Sequence, residues 1–439
     1  TAVVQDVKPK AKKKEEGEED TDTNLGGEDE TNDRDENELE QLSFSLTDLS
    51  QAIKAKIVDK CGTRDYWENW ASDIAKIAQQ HITRINSIVL NSGTKERTAF
   101  MQFVDEIRDD LNPEITETDA VEMLAQHIIT RPVFDTLFQG NRFTTENAVS
   151  KAMETVLAQI YDNKIDTETR TLEKFYNSVK RRAADIITST GRQTLILELY
   201  DRFFRNAFPL MTQKLGIVYT PVEVVDFIIH SVEDVMKEEF GSSLGNEGVH
   251  VLDPFTGTGT FISRLLQSGV MSKDQIRRKF KSEIHANEIV LLAYYIACIN
   301  IEAVYDDLVK ENQYQSFDGM VLTDTFQLFE QDRDMIANLL PDNSERRTKQ
   351  KQREITVIIG NPPYSIGQKS ENDNAANIEY KNLDDSIANT YGAASNATRQ
   401  VGLFDSYIRS FKWASERIDE DGVIGFVTNG AWIDSGFAD

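Results

Sequence analysis

Val249-His250-Val251-Leu252-Asp253-Pro254-Phe255-Thr256-Gly257-Thr258-Gly259-Thr260-Phe261 sets the fold class of this chain. The first four residues read as a short buried strand, and residues 261–266 continue as an apolar helix. Between the two, Gly257 and Gly259 let the main chain approach a ligand where a Cβ would clash. A helix that starts there aims free N–H groups and a partial positive charge into the turn. Strand, glycine turn and helix are the opening unit of a doubly wound α/β sheet. The spacing departs from the dinucleotide fingerprint, because no third glycine follows at the expected place and an acid, Asp253, precedes the turn. Ile284-His285-Ala286-Asn287-Glu288 reads as a second strand, ending in an acid suited to ribose hydroxyls. Residues 290–301 are the most apolar segment, too short to span a membrane, and read as a buried helix after that strand.

About a hundred residues downstream, the apolar run 355–359 and one glycine lead into Asn361-Pro362-Pro363-Tyr364. Proline has no N–H and a fixed φ, and the residue before a proline is held extended. Pro362-Pro363 is therefore a stiff hook that presents carbonyl acceptors and no donor, beside the side-chain carbonyl of Asn361. Such a hook suits a planar amino nitrogen, whose lone pair is delocalised until acceptors hold its protons. Tyr364 adds a flat face on which an extruded base stacks. A strand-terminating turn that merely contains two prolines is the bland alternative for the tetrapeptide alone. Asp253 at a strand end suits a cationic ligand, and the sulfonium and amino groups of S-adenosylmethionine are cationic.

Taken in order, glycine turn, acid and proline hook resemble the amino-group DNA methyltransferases, specifically adenine-N6 enzymes of the gamma type, in which the cofactor motif precedes the catalytic one. The family's early T-P element corresponds to Thr220-Pro221 within Gly216-Ile217-Val218-Tyr219-Thr220-Pro221. The resemblance implies that Tyr219, Thr220 and Pro221 lie against the methionine end of S-adenosylmethionine. It places Asp253, Pro254, Phe255, Thr256, Gly257 and Gly259 in the main pocket and Glu288 on the ribose. It matches Asp324 to the acid that accepts from the cofactor's adenine amine, with Phe326 beside the ring. Asn361, Pro362, Pro363 and Tyr364 would be catalytic, and no metal is needed.

The chain has 439 residues and 39 % hydrophobic content, enough for two or three domains, and no apolar stretch long enough to span a membrane. No membrane partner is expected. Two cysteines, Cys61 and Cys298, are too few for a disulfide framework or a zinc site, and with no signal peptide they point to a reducing cytoplasm. The net charge of −26 opposes DNA binding at first sight, but residues 15–40 hold 14 acids and one Arg. Half of the charge therefore sits in one block, read with residues 1–41 as a disordered linker. Basic clusters at 180–182, 277–281 and 346–353 suit phosphates, although a solvated helix face is the ordinary use of each.

Residues 42–208 read as an all-α domain. Apolar residues recur at three and four along 74–89, 100–111, 121–137 and 148–160, with boundaries at Asn112-Pro113 and at Thr116 with Asp119. Tyr66, Trp67, Trp70, Phe134 and Phe138 read as core, and His81, His127 and His230 as structural. Gln126-His127-Ile128-Ile129-Thr130-Arg131-Pro132-Val133-Phe134, Lys174-Phe175-Tyr176-Asn177-Ser178-Val179, Gly191-Arg192-Gln193 and Glu198-Leu199-Tyr200 precede the Thr220-Pro221 element in that order. This order resembles the helical coupler of the single-polypeptide Type ISP restriction-modification enzymes. The resemblance implies double-stranded DNA as a partner, a nuclease and helicase-like motor N-terminal to this stretch, and a target-recognition domain C-terminal to it. No G-x-x-x-x-G-K-[ST] of a motor occurs here, and both ends read as cut from a longer polypeptide.

The expected layout is then a linker (1–41), a helical coupler (42–208) and a Rossmann-like methyltransferase core (209–439) that lacks its last strands. Residues 365–399 read as a polar loop near the DNA, residues 403–418 as a helix and 423–428 as a strand. Three readings stay open beside adenine-N6 transfer: cytosine-N4 as acceptor, a protein-glutamine methyltransferase, and a non-catalytic DNA-docking module.

Overall fold

The computed structural model describes residues 64–91, 93–137, 143–160, 177, 220–311, 313–330, 339–364, 380–395 and 401–434. The acidic linker, Tyr219, the 180–182 cluster, the side chains of Tyr66, Trp67 and Trp70, Phe138, the motifs between 174 and 200 apart from Asn177, and the 208/209 boundary lie outside the described residues.

Among the described residues the N-terminal bundle is built from α1 (Arg64–Val89), α2 (Lys95–Asp110), α3 (Glu117–Leu137) and α4 (Ala148–Ile160), with a single helical turn, Phe143–Glu146, before the last. Thr94 caps α2 by accepting from the Arg97 N–H, and Thr116 and Asp119 exchange bonds at the start of α3, satisfying N–H groups that the first turn leaves unpaired. Phe100, Phe103, Val104 and Ile107 follow helical spacing along one side of α2 and are buried where it packs on α4. α1 packs on α3. Phe134 is core as expected, edge-on to Phe143 and Tyr295.

The α/β part alternates α5 (Val222–Phe240), β1 (Val251–Asp253), α6 (Thr260–Gln267), β2 (Ile284–Glu288), α7 (Leu291–Val309), β3 (Met320–Leu322), α8 (Pro341–Lys351), β4 (Ile355–Gly360), α9 (Lys381–Ile387), α10 (Ser406–Arg417) and β5 (Ile418–Phe426). The strands lie in the order β3-β2-β1-β4-β5, every pair parallel. Parallel strands are covered on both faces, so they carry apolar residues on both. Val251, Val357 and Ile359 join one core with α5, α6 and α7, whereas Leu252 and Ile358 join another with Leu383, Ile387 and Trp413 of α9 and α10. The chain winds outward from β1 to β3, then returns to β4 on the other side of β1. In sheets of this kind a ligand sits outside the carboxyl ends of the strands at such a reversal, here β1 and β4.

Some local expectations are corrected. The first strand begins two residues later than residue 249, although the His250 carbonyl already accepts from Thr356 and Val357. Residues 403–418 do not form one helix: a 3-10 turn, Val401–Phe404, stops at Asp405, whose side chain caps α10 by accepting from the Tyr407 N–H. β5 begins at Ile418, and a bulge at 418–423 separates its first pairing from the ladder at Val423. Within 365–399, residues 381–387 are helix α9, because Tyr380, Leu383 and Ile387 supply a buried stripe that polar neighbours hide in the sequence. Among the described residues, the basic clusters at 277–281 and 346–353 are not solvated throughout. Lys279 is fully buried, donating to the Asn246 and Val249 carbonyls, and Arg347 is buried against Asp109 and Asp110.

Candidate active site

β1 ends on Asp253, which is fully buried. Its Oδ1 accepts from the Phe255 N–H at 3.1 Å, while its Oδ2 has no partner. The turn that follows is built by the glycines: Gly257 and Gly259 take φ of 55° and 85°, left-handed values that other residues rarely adopt. The Thr256 N–H donates to the Asn287 carbonyl and its Oγ1 to the Asp253 carbonyl, tying the turn to β2 and to itself. Glu288, at the end of β2, receives the Gly257 N–H on Oε2 at 2.7 Å and the Val290 N–H on Oε1 at 2.8 Å.

Burial, with the Glu288 charge adding to it, pushes the Asp253 carboxyl up to about 8, and burial pushes Glu288 up to about 7. Two acids held this way, one with a bare oxygen, make a site that gains from a cationic guest.

β4 brings the proline hook alongside. Gly360 lies so near Asp253 that a Cβ there would sit 2.9 Å from Asp253 Oδ1, so only glycine fits at this step without displacing the acid. One residue on, Asn361 donates Nδ2 to Thr220 Oγ1 at 3.0 Å. With the amide placed this way, its buried Oδ1 has no donor. Pro362 is buried, Pro363 exposed and Tyr364 half-buried. The Tyr364 hydroxyl donates to the Val427 carbonyl at 3.2 Å, and its ring lies 5.8 Å from Tyr407.

Pro221 caps α5, its carbonyl accepting from the Val224 and Val225 N–H groups. The Pro254 carbonyl accepts from Thr325 Oγ1. Phe255 and Phe326 meet at 5.5 Å, and Phe326 stands edge-on to Tyr380 at 5.2 Å. Asp324 is buried behind them, its carboxyl raised by burial and lowered by its hydrogen bonds to Asn112 and Tyr380.

Thr220, Asp253, Gly360 and Asn361 are thus directly linked, as are Gly257 with Glu288 and Phe255 with Phe326. Asn112, Tyr380, Asn287 and Gly360 were missed from sequence. Gly360 had a signal, since a glycine between an apolar strand and the hook marks a close approach. No cluster of acids, histidines or cysteines with metal-holding geometry occurs among the described residues.

Residues 66–191 match the family described as "Type ISP restriction-modification enzyme, coupler domain", and residues 192–396 match "N-6 DNA Methylase". A nuclease-deletion mutant of the Type ISP restriction-modification enzyme LlaGI, solved with a DNA substrate mimic, is 46 % identical over 90 % of this chain and 32 % of its own length, with a TM-score of 0.82. The ATP-dependent Type ISP enzyme LlaBIII, solved bound to DNA, is 45 % identical over 90 % of this chain and 27 % of its own, with a TM-score of 0.83. DrdV in a DNA complex is 33 % identical over 88 % and 37 %, at 0.78. The chain therefore spans about a third of the length of these relatives. No curated protein matches it. The chain belongs to the Type ISP restriction-modification family, of which it carries the coupler domain and the N-6 DNA methylase domain.

Proposed function

We propose that this region binds S-adenosylmethionine and transfers its methyl group to the N6 amine of an adenine turned out of duplex DNA, as one module of a larger restriction-modification enzyme. The observation that carries the reading is the pair of buried acceptors without donors, Asp253 Oδ2 and Asn361 Oδ1, at the ends of adjacent strands. A buried acceptor left without a donor costs about 1–3 kcal/mol. What bears on function is that these two stand together at the strand ends, where a ligand's donors would complete them.

Asp253 faces the cationic part of the cofactor, Glu288 the ribose, and Asp324 with Phe326 the adenine end. Thr220, Pro221 and the turn from Pro254 through Phe255 and Thr256 to Gly257 and Gly259 surround the rest. The cofactor supplies an electrophilic methyl on a sulfonium that leaves as a neutral thioether. Asn361 Oδ1 and the Pro362 carbonyl hold the two hydrogens of the target amine, which frees its lone pair, the methylated nitrogen then releases one of those protons to water, and Pro363 keeps the hook rigid. Tyr364 gives the base its stacking face. The rate gain comes from alignment and acceptor placement, with no metal and no covalent intermediate on the protein. Duplex DNA, an N-terminal nuclease and motor, and a C-terminal target-recognition domain complete the proposed enzyme, in the cytoplasm. The "N-6 DNA Methylase" match favours a nucleic-acid amine over a glutamine amide.

The test is mass spectrometry of nucleosides from DNA treated with the enzyme and its flanking domains in the presence of isotopically labelled cofactor. Labelled N6-methyladenine is the expected product. Labelled N4-methylcytosine alone moves the acceptor to the other base, and no labelled nucleoside refutes the reading.

A further inference from the structure

The end of α2, in the coupler domain, meets the methylase domain at the turn that follows β3. The Asp110 carbonyl accepts from Thr323 Oγ1 at 2.8 Å, and the Asp110 carboxylate from Asn343 Nδ2 at 2.8 Å. Two residues on, Asn112 is 2 % exposed and donates Nδ2 to Asp324 Oδ2 at 3.0 Å. Its own Oδ1 accepts from the Glu114 N–H at 2.8 Å, so the loop backbone fixes the amide with its NH2 toward Asp324.

Asp324 collects donors from three parts of the chain. Oδ1 takes the Phe326 N–H at 2.9 Å and the Gln327 N–H at 3.4 Å from its own turn. Oδ2 takes Asn112 and the Tyr380 hydroxyl, the latter at 2.8 Å. A carboxylate offers about four lone-pair sites, and here each is used. A further donor has to replace one of the four, and the long Gln327 bond is the weakest. Asn112 and Tyr380 would then keep the opposite oxygen, and with it the plane of the carboxylate.

We propose that Asn112 is a positioning residue contributed by the coupler to the adenine end of the cofactor site: it orients the Asp324 carboxylate, so that seating of the coupler and recognition of a purine 6-amino group are coupled. The proposal rests on the assignment of Asp324 under Proposed function. Coupling of this kind is reciprocal, so a ligand bearing the 6-amino group tightens the coupler contact by the factor that the contact adds to its affinity.

The experiment titrates the 439-residue chain with S-adenosylhomocysteine and with S-inosylhomocysteine, which carries a 6-oxo group in place of the amine. The unmutated chain is expected to prefer the amino form. Asn112→Ala should weaken the amino form about tenfold, the scale of one hydrogen bond to a charged group, and leave the oxo form within about twofold, narrowing the preference. Asn112→Asp preserves the size of the side chain and sets a second carboxylate against Asp324. Its preference for the amino form should be lost at neutral pH and return on acidification, when the two acids share a proton. An unchanged ratio between the two ligands in either variant overturns the proposal. So does a parallel loss of both ligands with a lower melting temperature, which marks a purely structural residue. If the unmutated chain binds neither ligand, the cofactor assignment itself fails; binding without a change of ratio removes only the role of Asn112.

Discussion

Asn361 spends its amide hydrogen on Thr220 and keeps its oxygen bare, which separates its two possible effects on the reaction. Asn361→Ala is expected to lower methylation by about 3 kcal/mol, roughly a hundredfold, the scale seen when one placed polar group is lost from a closed site, with cofactor affinity within a few fold. Tyr364→Ala should weaken capture of the base by about 1–3 kcal/mol, and Tyr364→Trp should retain part of the activity because it keeps a face. Single-turnover methylation beside cofactor titration reads both, and a wild-type rate in Asn361→Ala removes the hook from the mechanism. Asp253 and Glu288 give a pH signature. Their folded-state values near 8 and 7 lie above those of the unfolded chain, so the folded state binds the extra protons. Their contribution to stability is complete below pH 4 and falls as pH rises through 7 to 8. Glu302, raised to about 8 by burial, acts in the same sense. The melting temperature of the unliganded chain should therefore decline from pH 6 to 9, and Asp253→Asn should flatten part of that slope. Binding of S-adenosylmethionine at pH 7 should release protons, visible as buffer-dependent heats in calorimetry; equal heats in all buffers would argue against an acid that ionises to meet a cation.

Individual elements differ in how far their own residues announce them. β4 and its hook were legible because an apolar run, one glycine and two prolines leave little conformational choice. The helix α9 was not, since Asn, Asp and Ser dominate its exposed side and the partners of its buried stripe, among them Leu252, Ile358 and Trp413, are remote in sequence. The polarity of α8 misled in the opposite direction. Its Arg347 looks solvated in sequence but is matched by Asp109 and Asp110, more than two hundred residues earlier, at 3.1 and 3.5 Å. Removing one partner of a buried ionic group leaves charge without compensation, at about 3–5 kcal/mol. Arg347→Met should shift the denaturant midpoint down by that amount of stability, and the added change Asp110→Asn should recover part of it. A midpoint unchanged by Arg347→Met would show that the two acids are neutral or hydrated there.

Over the whole molecule, the order of motifs along the chain was enough to foresee a doubly wound α/β sheet, and the five strands are indeed all parallel. The docking of the bundle on that sheet was not foreseeable, because it runs through polar atoms of unremarkable loops such as Asn112 and Thr323. It also runs through α7, read from sequence as a buried helix and found to extend to Val309. That helix faces the sheet core on one side. On the other, Tyr295 meets His127 at 2.8 Å and Tyr294 meets Asn147 at 3.2 Å, both partners belonging to the bundle. Up to Tyr305 such a helix has almost no side to give to water, and only its last turn is exposed. Coupler and methylase domains thus match separate family models but share one packed interface, and a chimaera that joins the coupler of one relative to the methylase of another inherits a mismatch along α7 unless the facing residues of α3 and α4 travel with it.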